Sequence, residues 1–134
     1  MKLGDSDKAM ATIISLDDIR DSSIIIGKIL RKRGHTVYTF TEEEDAITHA
    51  ELHDVDLAIL DINLKKMSGL DVLSVLKQIN PFIKSIILTG YPDAAVASEA
   101  MKRGANEFCI KPIDRDVLEQ KVKNVLSCSC HTEK

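Results

Sequence analysis

Residues 55–79 have the sequence VDLAILDINLKKMSGLDVLSVLKQI, which contains one short apolar run and one longer amphipathic segment. The run Val55–Leu60 predicts a buried strand that ends at Asp61. The segment Gly69–Ile79 carries leucines at helical intervals and is closely followed by Pro81, which stops a helix. A strand, a polar loop and a helix, in this order, form the unit from which the fold of the whole chain can be predicted.

The same alternation of strand and helix occurs five times along the chain. The other predicted strands are Ala11–Leu16, Thr36–Phe40, Ile83–Leu88 and Glu107–Ile110. The other predicted helices run from Asp21 to Arg33, from a capping box of Thr41 and Glu44 to about His53, from Asp93 to Arg103, and from a cap at Asp114 to about Leu126. Five such units imply a parallel sheet with helices on both faces. The chain is too short for the eight units of a barrel, so we expect an open α/β sheet.

The composition is that of a single globular domain. Of the 134 residues, 44% are hydrophobic, which is enough to build a core without a disulfide or a metal. Within that core we place the isoleucines 24–26 of the first helix and the leucines of the third. We expect a loose N-terminal arm over residues 1–10, a domain over 11–127 and a C-terminal tail over 128–134.

Charge and residue content argue against several classes of protein. The formal net charge of -3 disfavours a dedicated nucleic-acid binder. No uncharged apolar stretch approaches the roughly 18 residues that a membrane span needs. Asp5 and Asp7 occupy the place where a signal peptide would need its apolar region, and the odd count of three cysteines fits a reducing compartment. We therefore expect a cytoplasmic protein with no membrane segment and no direct contact with nucleic acid.

Polar side chains follow four of the five predicted strands. They are Asp17 and Asp18 after the first strand, Asp61 after the third, Thr89 after the fourth and Lys111 after the fifth. Open parallel sheets place their sites beyond the carboxyl ends of the strands, so these residues are expected to meet at one edge. Three clustered carboxylates repel one another, and a divalent cation that prefers oxygen ligands, such as Mg²⁺, would keep all three ionised. Together with a lysine and a hydroxyl, these groups are suited to phosphoryl transfer, in which an aspartate can be the nucleophile.

In this order, the residues resemble the receiver domain of two-component response regulators over about residues 11–127. The matching motifs are Asp17-Asp18, the run Asp61-Ile-Asn-Leu that ends in Met67-Ser-Gly-Leu70, Leu88-Thr-Gly-Tyr91, Lys102-Arg-Gly-Ala-Asn-Glu-Phe108 and Lys111-Pro112. The resemblance implies a doubly wound, flavodoxin-like (βα)5 fold with strand order 2-1-3-4-5. It also implies a signalling switch rather than a metabolic enzyme.

The resemblance assigns the phosphoryl chemistry to named residues. Asp61 would be the phospho-acceptor. Mg²⁺ would be held by the carboxylates of Asp18 and Asp61 and by the backbone carbonyl of Asn63, with Asp17 acting directly or through water. Lys111 would pair with a phosphoryl oxygen. The implied donor is the phosphohistidine of a sensor histidine kinase or a histidine phosphotransfer protein, or a small acyl phosphate.

The resemblance also implies how the switch acts. Thr89 would move to bond the phosphoryl group, and Phe108 would turn inward into the space that Thr89 vacates. A cis peptide bond before Pro112 would aim Lys111 inward. The surface of the fourth helix, the fifth strand and the fifth helix would then change and bind an output domain, a target protein or, in a phosphorylation-dependent dimer, a second copy of the chain.

Two residues depart from the usual family pattern near the acceptor. Lys65 occupies a position where the family often has proline, so the loop after Asp61 is expected to be looser or to carry an extra charge near the phosphate. Tyr91, the second residue after Thr89, occupies one of the two positions that flank the path of hydrolytic water, and Asn63 occupies the other. We hypothesise that the Tyr91 ring shields the acyl phosphate and lengthens its life.

Two other functions remain as alternatives. A Mg²⁺-dependent phosphatase of the haloacid dehalogenase type also uses a nucleophilic aspartate after a strand, but it needs a second acid two residues later, where this chain has Asn63. A degenerate receiver that acts only as a phosphorylation-independent interaction module is expected to lack the acceptor, an acidic-pair residue or the lysine. All three are present.

Two histidine and cysteine patterns resemble metal sites only weakly. His49 and His53 have the spacing of a metal-binding pair on a helix, but no third ligand is apparent, and we interpret them as solvated helix residues. Cys128, Cys130 and His131 form a C-x-C-H tail without a fourth ligand, for which a frayed terminus is the preferred interpretation.

Overall fold

The computed structural model describes residues 10–64, 66–90 and 93–127, which form five strands and five helices in alternation. The strands are β1 (Thr12–Leu16), β2 (Thr36–Phe40), β3 (Leu57–Asp61), β4 (Lys84–Thr89) and β5 (Glu107–Ile110). The helices are α1 (Arg20–Arg31), α2 (Glu43–Leu52), α3 (Gly69–Ile79), α4 (Ala94–Lys102) and α5 (Arg115–Ser127). All neighbouring strands are parallel and their order is β2-β1-β3-β4-β5, so the predicted flavodoxin-like open sheet is confirmed. The predicted tail and all of the predicted arm except Met10 lie outside the described residues.

Both faces of the sheet are covered by helices, and β3 shows how the pleat divides the core. Leu57 and Ile59 belong to the apolar cluster that contains the buried side chains of α1 and α5. Ala58 and Leu60 belong to the opposite cluster, which contains those of α2, α3 and α4. Successive side chains of a strand point to opposite faces, so a strand that is apolar at every position can serve two cores. This is why β3 lacks the polar alternation of a strand with one solvated face.

The starts of two helices differ from the prediction. The capping box of Thr41 and Glu44 is wrong: α2 begins at Glu43, and its N-cap residue Glu42 makes no side-chain cap bond. The carboxylate of Glu44 lies 2.8 Å from the Lys66 ammonium instead, so its partner lies in another part of the chain. At α1, which begins at Arg20, Asp17 accepts a hydrogen bond from the backbone N–H of Ile19. The contact between Glu44 and Lys66 joins residues 22 positions apart, which a local pattern could not anticipate.

The start of α5 was predicted correctly. Asp114 Oδ2 accepts a 2.9 Å hydrogen bond from the backbone N–H of Val117, three residues further on. A side-chain acceptor placed just before a helix satisfies one of the N–H groups that have no partner in the first turn. This kind of cap is local in sequence, which is why it could be predicted.

Only one of the three consecutive isoleucines of α1 lies in the core. Ile26 is fully buried, whereas Ile24 is 43% exposed and Ile25 is 50% exposed, so the prediction that all three are buried is wrong. A helix turns by about 100° per residue, and three successive side chains cannot all face one sheet. The prediction for α3 is confirmed, because Leu70, Leu73 and Leu76 are buried. No helix in the described part of the chain is long and apolar enough to cross a membrane.

Candidate functional site

The predicted site residues meet at the carboxyl edge of the sheet. Asp61 is the last residue of β3 and Thr89 is the last residue of β4, while Asp17 and Lys111 directly follow β1 and β5. The sheet hydrogen bonding continues one step beyond the strands, since the backbone N–H of Asp17 donates to Phe40 O (3.1 Å) and that of Lys111 donates to Thr89 O (2.7 Å). The site is therefore built on regular, rigid backbone.

Three carboxylates form the centre of the site. Asp17, Asp18 and Asp61 each offer a carboxylate oxygen, and these oxygens all lie within 4.8 Å of one another. Asp17 is fully buried and Asp61 is 4% exposed, so water screens little of their mutual repulsion. The ammonium group of Lys111 lies 3.0 Å from Asp17 Oδ2 and 3.4 Å from Asp61 Oδ1. One ammonium cannot balance three carboxylates, and an all-oxygen donor set with excess negative charge fits a hard divalent cation such as Mg²⁺.

Burial and the excess of negative charge shift the pKa values of Asp61 and Lys111. The pKa of Asp61 is raised from its ordinary 3.8 to about 6, first by burial and second by the negative charge of Asp17. Lys111 and the backbone N–H of Asn63 lower the pKa and offset part of it. Burial alone would lower the pKa of Lys111, but the hydrogen bond to Asp17 and the charges of Asp17 and Asp61 raise it. Asp61 is thus a carboxylate more basic than usual, next to an ammonium group that remains charged.

Two residues that the sequence analysis did not single out hold the loop after Asp61. Gly69, the first residue of α3, packs so closely that a Cβ atom there would overlap the backbone carbonyl oxygen of Asp61. The carboxylate of Glu43 is buried and accepts hydrogen bonds from the backbone N–H groups of Lys66 (2.7 Å) and Met67 (3.3 Å). Gly69 lies inside a quoted motif, so its position was a usable signal. Nothing local distinguishes Glu43 from the glutamates on either side of it.

The residues assigned to the switch and its supporting backbone are also in place. Thr89 is buried at the end of β4, and Phe108 in β5 is partly buried against the core. The peptide bond between Lys111 and Pro112 is cis, the geometry that the resemblance implies. Tyr91 and Lys65 lie outside the described residues, as do the cysteines and the histidine of the tail.

The interpretation of His49 as a solvated residue is wrong. Its ring packs against Tyr38, with centroids 4.4 Å apart, and against Phe40 at 5.5 Å. Burial and the neighbouring His53 lower the pKa of His49. His49 is partly removed from solvent because it contacts the aromatic side chains of β2, and the helical spacing of the two histidines does not reveal this contact. Cys109 in β5 is a buried free thiol.

Comparisons with known proteins agree with this geometry. The family model of the response regulator receiver domain matches residues 13–123. The transcriptional regulatory protein ZraR of Salmonella typhimurium is 30% identical over 115 residues, which are 86% of this chain and 26% of ZraR. The chain therefore spans about a quarter of the length of that relative.

Solved structures extend the likeness to three dimensions. A CheY-like receiver domain protein from Methanospirillum hungatei is 26% identical with a TM-score of 0.83, and the match covers 87% of this chain and 94% of that one. The BeF3-activated DrrB receiver domain is 25% identical with a TM-score of 0.80, and the match covers 87% and 97% of the two chains.

Proposed function

Because this chain belongs to the receiver domain family of two-component response regulators, we propose that it is a phosphoacceptor switch in which Asp61 takes a phosphoryl group from a phosphohistidine. Receiver domains are signalling switches, and histidine kinases and output domains are the partners that membership of the family implies. The proposed donor is a sensor histidine kinase or a histidine phosphotransfer protein. The proposed receiver of the signal is an output domain or a separate target protein.

One observation carries this proposal. The carboxylate of Asp61, at the end of a central strand, lies 3.4 Å from the Lys111 ammonium and shares an all-oxygen cluster with Asp17 and Asp18. Asp61 is thus an oxygen nucleophile next to the Lys111 ammonium, which can stabilise the negative charge of an entering phosphoryl group.

In the proposed transfer, an Asp61 oxygen attacks phosphorus in line, forming a P–O bond while the P–N bond to the donor imidazole breaks. Lys111 turns from Asp17 and Asp61 towards a phosphoryl oxygen and stabilises its negative charge. Asp17, Asp18, Asp61 and the carbonyl of Asn63 would hold Mg²⁺, which supplies positive charge to the phosphoryl oxygens when bound.

The proposed output is a change on the face formed by α4, β5 and α5. Thr89 would bond the phosphoryl group from the end of β4, and Phe108 would follow it inward. The exposed apolar side chains on this part of the chain support its use in protein contacts, namely Met101 (51% exposed), Ile110 (51%) and Val117 (44%). A target protein, an output domain or a second copy of the chain could bind there after phosphorylation.

Incubation with acetyl phosphate and Mg²⁺ is expected to add one phosphoryl unit to the intact mass of the chain. The gain should disappear in EDTA, because the carboxylate cluster and the entering phosphate repel each other without a cation. Failure to gain mass from acetyl phosphate and from a phosphorylated histidine kinase, together with no Mg²⁺ binding by calorimetry, would contradict the proposal. The phosphorylation-independent interaction module would then be the better account.

A Tyr91→Ala variant is expected to lose its phosphoryl group several times faster than the wild type. We propose that the Tyr91 ring shields the acyl phosphate from water, and its removal would open that path. Decay of the phosphorylated mass after removal of the donor measures the lifetime, with Tyr38→Ala as the control. Equal lifetimes for Tyr91→Ala and the wild type would reject the role of this ring.

A further inference from the structure

Glu43 is a buried carboxylate that the proposed phosphoryl transfer does not use. It lies in the first turn of α2 with only 2% of its surface exposed. Its Oε2 accepts the hydrogen bonds from Lys66 and Met67, while its Oε1 is buried without a partner among the described residues. Burying a carboxylate with one unpaired oxygen costs free energy. The hydrogen bonds that Oε2 accepts therefore have to offset that cost.

The hydrogen bonds of Glu43 reach the loop that follows the phospho-acceptor. That loop is closed at its base, where the backbone N–H of Gly69 donates to Ile62 O at 2.9 Å. Within this loop, the backbone N–H groups of Lys66 and Met67 donate to the side chain of Glu43, which lies on a different helix. Asn63, whose carbonyl is a proposed Mg²⁺ ligand, lies within the same closed loop.

The negative charge of Glu43 strengthens its hydrogen bonds to the loop backbone. Burial on its own would raise the pKa of Glu43, but the hydrogen bonds from the backbone N–H groups of Lys66 and Met67, together with the charge of Lys66, contribute to a net lowering. Hydrogen bonds to an ionised acceptor are stronger than those between neutral groups. The loop is therefore held by a charged acceptor on a neighbouring helix.

We propose that Glu43 is a positioning residue for the metal site: by holding the backbone of Lys66 and Met67, it orders the loop after Asp61, so that the Asn63 carbonyl is already in place when a divalent cation binds. This inference rests on the proposed function, because it takes Asn63 as a ligand. Without Glu43, cation binding would itself have to order the loop, and the conformational entropy lost in doing so would weaken the affinity. Loss of Glu43 should therefore weaken cation binding and should have much less effect on phosphoryl transfer at saturating cation.

The neighbouring Glu44 provides a matched control. It lies in the same turn of α2 and also contacts Lys66, but only through the ammonium group at 2.8 Å, and its side chain is 69% exposed. Removing Glu44 deletes the same charge at nearly the same place without touching the backbone hydrogen bonds. The variant Glu43→Gln is the second comparison, because its amide oxygen can accept the two bonds without the charge.

The test measures the initial rate of phosphorylation by acetyl phosphate as a function of Mg²⁺ concentration, with direct Mg²⁺ calorimetry alongside. For Glu43→Ala we expect about a tenfold increase in the half-saturating Mg²⁺ concentration, the lower end of what outer-shell changes at metal sites typically cause. The rate at saturating Mg²⁺ should fall by less than about threefold. Glu43→Gln should lie within about threefold of the wild type in Mg²⁺ affinity, and Glu44→Ala within about twofold.

Equal Mg²⁺ affinity for Glu43→Ala and Glu44→Ala would overturn the proposal, as would a Glu43→Gln variant no better than Glu43→Ala. Circular dichroism and urea unfolding establish that each variant is folded at the assay temperature. If Glu43→Ala unfolds, Glu43→Asp takes its place, because its side chain is one methylene shorter and it should show the same direction of change in Mg²⁺ affinity. A wild-type chain that neither binds Mg²⁺ nor becomes phosphorylated would refute the proposed function itself. A wild type that does both, with unaffected variants, would refute only the role of Glu43.

Discussion

Asp61→Asn is expected to abolish phosphorylation and, in the absence of metal, to make the protein more stable at pH 7. The first effect follows because an amide oxygen is too weak a nucleophile to replace the carboxylate. The second follows because the folded chain raises the pKa of Asp61 from 3.8 to about 6, so ionised Asp61 destabilises the folded state at neutral pH. We expect a gain of about 1–3 kcal/mol in the free energy of unfolding.

The stability difference between Asp61→Asn and the wild type is expected to depend on pH. The folded chain binds a proton at Asp61 more readily than the unfolded chain does, so the wild type loses stability at this residue as pH rises from about 4 through 6. The advantage of Asp61→Asn should therefore be largest at pH 7 and shrink towards pH 4. Urea unfolding in EDTA at pH 4.5, 6 and 7.5 measures it.

Mg²⁺ should reverse the order of stabilities. The wild type is expected to gain stability when the cation binds, because binding to the folded state alone shifts the equilibrium, whereas Asp61→Asn should gain less. Asp54→Asn, at an exposed position outside the site, serves as the control and should change stability by less than about 0.5 kcal/mol. An Asp61→Asn variant less stable than the wild type in EDTA at pH 7 would contradict the electrostatic account.

Gly69→Ala is expected to destabilise the protein and to slow phosphorylation together. The new Cβ atom would overlap the carbonyl oxygen of Asp61 and lie 2.9 Å from its carbonyl carbon and 3.0 Å from the Cα atom of Ile62. These are backbone atoms at the end of a central strand, and they cannot move away as the tip of a side chain can. Overpacking of this kind costs about 1–3 kcal/mol, and the acceptor itself is the group displaced.

The measurement combines urea unfolding with the initial rate of phosphorylation at saturating Mg²⁺, for which we expect at least a tenfold loss, in line with what a misplacement of about 1 Å does to reacting groups. Gly27→Ala is the matched control. At Gly27, inside α1, a Cβ atom would meet mainly the far end of the Arg31 side chain at 3.0 Å, which can shift more easily than backbone, so this variant should keep its rate and at least its stability. Wild-type stability and rate in Gly69→Ala would show that the loop has room to adjust.

The elements of the fold could be predicted because their signals are local. Short apolar runs, helical spacing and an acceptor such as Asp114 before a helix act between residues close in the chain, and five such units allow few sheet topologies. The bounds of β2 and β5 are those predicted, whereas those of β1, β3 and β4 differ by one or two residues. In β3, Asp61 is part of the strand rather than the first residue after it. That difference places the acceptor on rigid backbone instead of a loop.

The sequence by itself determined the parallel sheet and the edge at which Asp17, Asp61 and Lys111 meet, because parallel strands bring their carboxyl ends together whatever the helices do. The strand order came from the resemblance of the motifs to the receiver family. Only the tertiary structure decided which atoms touch: that Lys111 lies closer to Asp17 than to Asp61, and that Glu43 holds backbone 23 residues further along the chain. Contacts of this kind depend on how the helices pack across the sheet. Packing is decided by shape and burial over the whole molecule, and no spacing along the chain records it.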